Sequence, residues 1–142
     1  MKLPMESAAA ILLAIVLAPT LARADARLKE RILSEGKDDY QVHCAACHGA
    51  GGKGDGPMAK LLIKPPSDLT GIAARSGGQL PFWRVFDIVS GRAAVVGHDT
   101  FQMPQFWSRL RADEGRLGYA EAHVRVLLLT HYLESIQASP RP

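Results

Sequence analysis

The chain has 142 residues, room for one domain of ordinary size and too few for two. Charged residues make up 22% and hydrophobic ones 47%, near the averages of folded soluble domains, which excludes a disordered tail, a fibrous repeat and a polytopic membrane protein. The formal charge is only +3, with acids interspersed among the bases, so nucleic acid is not an expected partner. The two cysteines, Cys44 and Cys47, offer no disulfide framework.

Lys2 is followed by an unbroken apolar run from Ala8 to Ala18, and then by Ala22-Arg23-Ala24, with small residues at the two positions a signal peptidase reads. The run falls short of the roughly 20 residues needed to span a bilayer. Residues 1–24 therefore read as a signal peptide cleaved after Ala24, and 25–142 as an exported, periplasmic domain with no stable membrane insertion after cleavage. An uncleaved anchor is the alternative. Cleavage removes Lys2, Glu6 and Arg23 and leaves a small, nearly neutral domain with a limited core. A large apolar cofactor would help it fold.

Residues 26–43 read as a first helix, with Leu28, Ile32, Leu33 and Tyr40 at helical spacing. Gly36 lies inside it, where glycine costs about 1 kcal/mol relative to alanine. Either another backbone approaches closely there, or the helix breaks and restarts. Gly49 to Pro57 (GAGGKGDGP) reads as an irregular loop, without the preceding strand or the Lys-Ser/Thr ending of a phosphate-binding loop. Ser67 or Asp68 is expected to cap a short helix through Arg75. A third helix spans Pro81 to Ser90, with Phe82, Val85, Phe86 and Val89 as its apolar stripe. Arg92 to Leu117 has no clear period and reads as a long, functional loop. The last helix, Tyr119 to Gln137, carries Val124, Leu127, Leu128, Tyr132, Leu133 and Ile136 on its apolar face. No stretch alternates like an amphipathic strand. The fold class is all-α.

The informative pentapeptide is Cys44-Ala45-Ala46-Cys47-His48. The spacing C-x-x-C-H is the attachment signature of c-type haem: each thiol adds to one vinyl group, and the adjacent imidazole binds the iron. A helical turn places Cys44 and His48 on one face. A dithiol redox motif would need a βαβ pattern that the chain lacks, and a structural zinc site would need four closely spaced ligands, whereas His43, His98, His123 and His131 are scattered. Export also agrees with haem attached outside the cytoplasm. The expected cofactor is one haem c, held through two thioethers.

The sixth position on the iron needs a ligand from elsewhere. Met103, 55 residues beyond His48 and followed by Pro104, is the reading adopted; Met58, in the glycine-rich segment, reads as a packing residue. His98 is the rival, and an open site would mean ligand sensing or catalysis. A thioether favours ferrous iron and raises the reduction potential, whereas a second imidazole lowers it.

With these residues in view, the sequence resembles the class I cytochromes c, the monohaem carriers with histidine and methionine axial ligands. Gly36-x-x-x-Tyr40-x-x-x-Cys44 is similar to the family's first helix, and Leu129-x-x-Tyr132-Leu133 to the terminal helix that crosses it. The resemblance implies an all-α fold, with N- and C-terminal helices crossing and long loops wrapping one haem. Through Asp55-Gly56-Pro57 it implies that the Pro57 carbonyl accepts the hydrogen bond from the proximal His48. Gly91-Arg92, His98 and Met103-Pro104 resemble a bacterial subgroup pattern, with Asp99 where that pattern has glycine. Arg92, with Arg75 and Arg84, is a candidate partner of the haem propionates. The implied function is single-electron transfer without catalysis, as a free carrier or as the haem subunit of an oxidoreductase. Its partners would be redox proteins, a dehydrogenase or an oxidase, meeting it across a largely apolar interface. The alternative is a haem-based sensor or enzyme with a labile sixth ligand.

Overall fold

The computed structural model describes residues 5–93 and 118–138, with side chains from residue 22 onward. Met103, His98, Asp99 and Pro104 lie outside the described residues. Among those described there are helices and turns and no strand. The helices are α1 (Met5–His43), α2 (Ala45–His48), α3 (Ile72–Arg75), α4 (Phe82–Val89) and α5 (Gly118–Ser135), with a 3₁₀ turn at Ala59–Leu61. By its contacts the chain divides into two units, Met1–Arg31 and Ile32–Pro142. In the first, residues 22–31 are all exposed, Leu28 among them, so the helical stripe expected from Leu28 onward packs only from Ile32.

Gly36 does not break α1. It is buried inside the helix, and a Cβ at this position would overlap the Leu128 carbonyl oxygen of α5 and press on the Tyr132 Cβ at 3.0 Å. The apparent cost of glycine is therefore the condition for two helix backbones to touch. One turn later, the Tyr40 and Tyr132 rings meet in a tilted pair with centroids 5.3 Å apart. The buried Asp39 carboxylate receives the Arg125 guanidinium in a two-point pair, its Nε at 3.1 Å from Oδ2. Three successive contacts thus hold the second half of α1 to α5.

The core is the packing of α4 on α5, closed by Tyr40. Val85, Phe86 and Val89 are buried as the stripe predicts, while Phe82 is half-buried against His131. On α5 the buried face is Ala122, Val126, Leu129 and Leu133, and Val124 is exposed. The sequence reading therefore misplaced the start of this face: with apolar residues nearly all round the helix, side-chain size alone does not fix the phase. Thr130, a polar residue inside the core, satisfies its hydroxyl by donating to the Val126 carbonyl at 2.7 Å.

Candidate functional site: the CxxCH cavity

Cys44 stands at the N-terminal cap of α2, a single turn closed by the His48 N–H donating to the Cys44 carbonyl at 2.9 Å. Gly49 ends it at φ +80°, a left-handed conformation that reverses the chain directly after the histidine. The loop then runs back along the turn. The amides of Gly54, Gly56 and Met58 donate to the carbonyls of His48, Cys47 and Ala46, which supplies partners for the open C-terminal end of α2. The Tyr40 hydroxyl, wholly buried, donates to the Gly49 carbonyl at 2.6 Å.

Cys44 and His48 open into one cavity of about 240 Å³. Its walls are mostly apolar, with Leu69 and Ile72 on one side, Val85, Ile88 and Val89 of α4 on another, and Leu133 of α5 behind. Arg75, Ser76 and Arg84 bring polar groups to its lining. Arg75 donates to the Asp68 carbonyl at 2.6 Å, and Arg84 has no salt-bridge partner among the described residues. Cys47 is half-buried and Met58 is exposed, so Met58 is neither the packing residue expected nor a wall of the cavity.

His48 is buried, and its Nδ1 lies 3.0 Å from the Ser67 carbonyl oxygen. A carbonyl only accepts, so Nδ1 carries the proton and Nε2 keeps its lone pair for a metal. Burial lowers the pKa of this imidazole, against the opposing pull of the Ser67 carbonyl, and the ring is held neutral as a ligand must be. Burial, helped by Asp39 and Cys47, pushes the Cys44 thiol up to about 12. A thioether has no proton to lose, and suits this apolar wall better than a thiolate would.

The acceptor for His48 is therefore Ser67 and not Pro57. Gly56 and Met58, on either side of Pro57, are bonded to the carbonyls of α2, which leaves Pro57 exposed at the surface. The chain returns to the histidine only ten residues later. Asp68 and Ser67 also cap no helix: the Asp68 carboxylate accepts from the Thr70 N–H and hydroxyl at 2.8 and 2.7 Å, a local turn before α3. Those two bonds, the hydroxyl's first, hold the Asp68 carboxyl below its ordinary value. Arg92 stands apart from these residues. It is exposed, bonded to Asp87 at 3.1 Å and lying over the Phe86 ring at 5.0 Å, and it is not in the cavity wall. Among the three arginines singled out from the sequence, Arg75 and Arg84 reach the cavity.

The donor set fits a covalently held haem: a thiol and a neutral imidazole one helical turn apart, facing apolar walls. Among the described residues no group of three or more His, Cys, Asp or Glu is placed to hold a metal ion by itself. A family model for cytochrome c matches residues 33–114. The chain belongs to the cytochrome c family. No curated protein and no solved structure matched it. In this cytochrome c, Cys44, Cys47 and His48 form the haem-binding motif, the cofactor is one covalently bound haem c, and the protein is a haem-based electron-transfer protein. Among the described residues no helix is long and apolar enough to cross a membrane.

Proposed function

We propose that this cytochrome c moves single electrons between redox proteins in the periplasm, as a free carrier or as the haem subunit of an oxidoreductase, and does no catalysis of its own. The observation that supports this best is the convergence of Cys44 and His48 on one apolar cavity, with the imidazole already fixed by Ser67. When bound, haem c supplies an iron that takes up and returns one electron. His48 would hold the iron from the proximal side, and its Nδ1–H bond to Ser67 sets ring orientation and basicity. Met103 would supply the sixth ligand, which suits a carrier that must spend time ferrous. Leu69, Val85 and Leu133 keep water from the site, so that a change of iron charge reorganises little solvent. Arg84, with Arg75, offers positive charge to the propionates. Export follows from cleavage after Ala24, and the partner is a dehydrogenase or an oxidase.

Two measurements test the reading. After acid–acetone extraction the haem should stay on the polypeptide; free haem in the solvent would end the covalent assignment. The ferrous protein should be low-spin and indifferent to carbon monoxide. Rapid binding of carbon monoxide would instead make it a sensor or an enzyme with a labile sixth ligand.

A further inference from the structure

Ser67 lies in an irregular stretch that has no ladder or helix to hold it. From Ser67 to Ser76 the chain forms a strap over one side of the cavity, contributing Ser67, Leu69, Ile72, Arg75 and Ser76 to its wall. What holds this strap comes from the far end of the chain. The Gln137 side chain, just past α5, donates through Nε2 to the Leu69 carbonyl at 2.9 Å and to the Leu133 carbonyl at 2.7 Å, while its Oε1 accepts from the Ala73 N–H at 2.8 Å. Only this orientation of the amide satisfies all three partners, since two are acceptors and one is a donor. The next residue adds a main-chain bond, from the Ala138 N–H to the Thr70 carbonyl at 2.8 Å. From the other side, the Leu69 N–H donates to the Gly52 carbonyl at 2.7 Å. Leu69 is thus pinned at both polar groups, two residues from the carbonyl that holds His48.

We infer that Gln137 is a positioning residue for the proximal histidine, acting through the strap. It touches neither His48 nor the cavity. Its amide ties Leu69 and Ala73 to the last turn of α5 and so fixes where the Ser67 carbonyl points. A strong bond from Nδ1–H to a fixed carbonyl gives the imidazole more anionic character and stabilises ferric iron. A strap released from α5 weakens that bond, and ferrous iron gains. The inference rests on His48 being an iron ligand, as proposed above.

The test uses the holoprotein and three variants, Gln137→Ala, Gln137→Glu and Ser135→Ala. Ser135 donates to the Tyr132 carbonyl at 2.7 Å, so its loss loosens the same helix end without reaching the strap. Gln137→Glu keeps an acceptor for Ala73 but has no donor for Leu69, and stands in if Gln137→Ala fails to fold. Spectroelectrochemistry reads the reduction potential, and NMR reads hydrogen exchange of the His48 Nδ1–H. Gln137→Ala should raise the potential, and both Gln137 variants should speed that exchange by about five- to tenfold, the factor equivalent to roughly one net hydrogen bond. The carboxylate of Gln137→Glu favours ferric iron by its own charge, so that variant is judged by exchange. Ser135→Ala should lower thermal stability and leave both readouts at the wild-type value. Unchanged potential and exchange in the Gln137 variants, or an equal shift in Ser135→Ala, overturns the inference alone. A wild type without covalent haem overturns the inference together with the reading beneath it.

Discussion

The Tyr40 hydroxyl links the first helix to the residue that follows His48, and it does so from a fully buried position. Tyr40→Phe keeps the ring against Tyr132 and removes only the donor, leaving the buried Gly49 carbonyl without it. The Gly52 N–H still donates to that carbonyl at 3.1 Å, so the expected cost at neutral pH is about 0.5–1.5 kcal/mol, the net worth of one hydrogen bond. Alkaline pH separates this from a packing effect. Burial above all holds the Tyr40 phenol well above its ordinary value of 10.0, with Tyr132 and Asp55 adding to it. An unfolded chain releases that proton near its ordinary value while the folded chain keeps it, so the folded state binds more protons and stability falls as pH rises beyond that point. The phenylalanine variant lacks this contribution. Its melting temperature should start lower and decline less steeply on the alkaline side; parallel alkaline limbs for the two proteins would show that Tyr40 carries none of the loss.

Between elements, the decisive contact is backbone on backbone. In an exposed helix interior, replacing glycine by alanine stabilises by about 1 kcal/mol. At Gly36 the sign should reverse, because the added methyl meets the Leu128 carbonyl, which belongs to a helix and cannot rotate away. Gly36→Ala in the holoprotein should lose about 1–3 kcal/mol in denaturant unfolding, and Gly36→Leu more. A stabilised alanine variant would mean that α1 and α5 do not meet at this point. The Asp39–Arg125 pair one turn on gives the contact a register, since only one rotation of α5 brings Arg125 to the buried carboxylate.

For the whole molecule, the proposal that Met103 closes the distal side of the site has its own test. Met103→Ala should open the sixth position, lower the reduction potential and admit carbon monoxide, while His98→Ala should leave the spectrum almost unchanged. The opposite pattern, with the long-wavelength sulfur–iron band missing from the wild type, would make the protein bis-histidine and low in potential. Export has its own readout. Mass spectrometry of the periplasmic protein should give a chain beginning at Asp25 with one haem added, whereas an intact Met1 terminus in the membrane fraction would restore the uncleaved anchor.

The haem motif was legible in the sequence because its chemistry is local: two thiols and an imidazole within five residues define an attachment site in any fold that leaves them on one turn. Gly36 was legible in part, as an expense inside a helix that a close neighbour or a break would explain, and the structure shows the neighbour. The all-α class followed from helical periodicity and from the want of any alternating stretch. The tertiary structure alone decided which carbonyl meets His48. Pro57 is nearer in sequence, yet its neighbours are taken up by the end of α2, and it is the strap through Ser67, bonded to Gly52, Gln137 and Ala138, that brings a carbonyl to His48. The buried face of α5 likewise needed a partner: Ala122 outranks Val124 because α4 lies against it, a preference that no side chain states by itself. The same holds for Arg75 and Arg84 over Arg92, since three arginines of equal charge differ only in what the folded chain puts beside them, an Asp87 carboxylate or an apolar cavity.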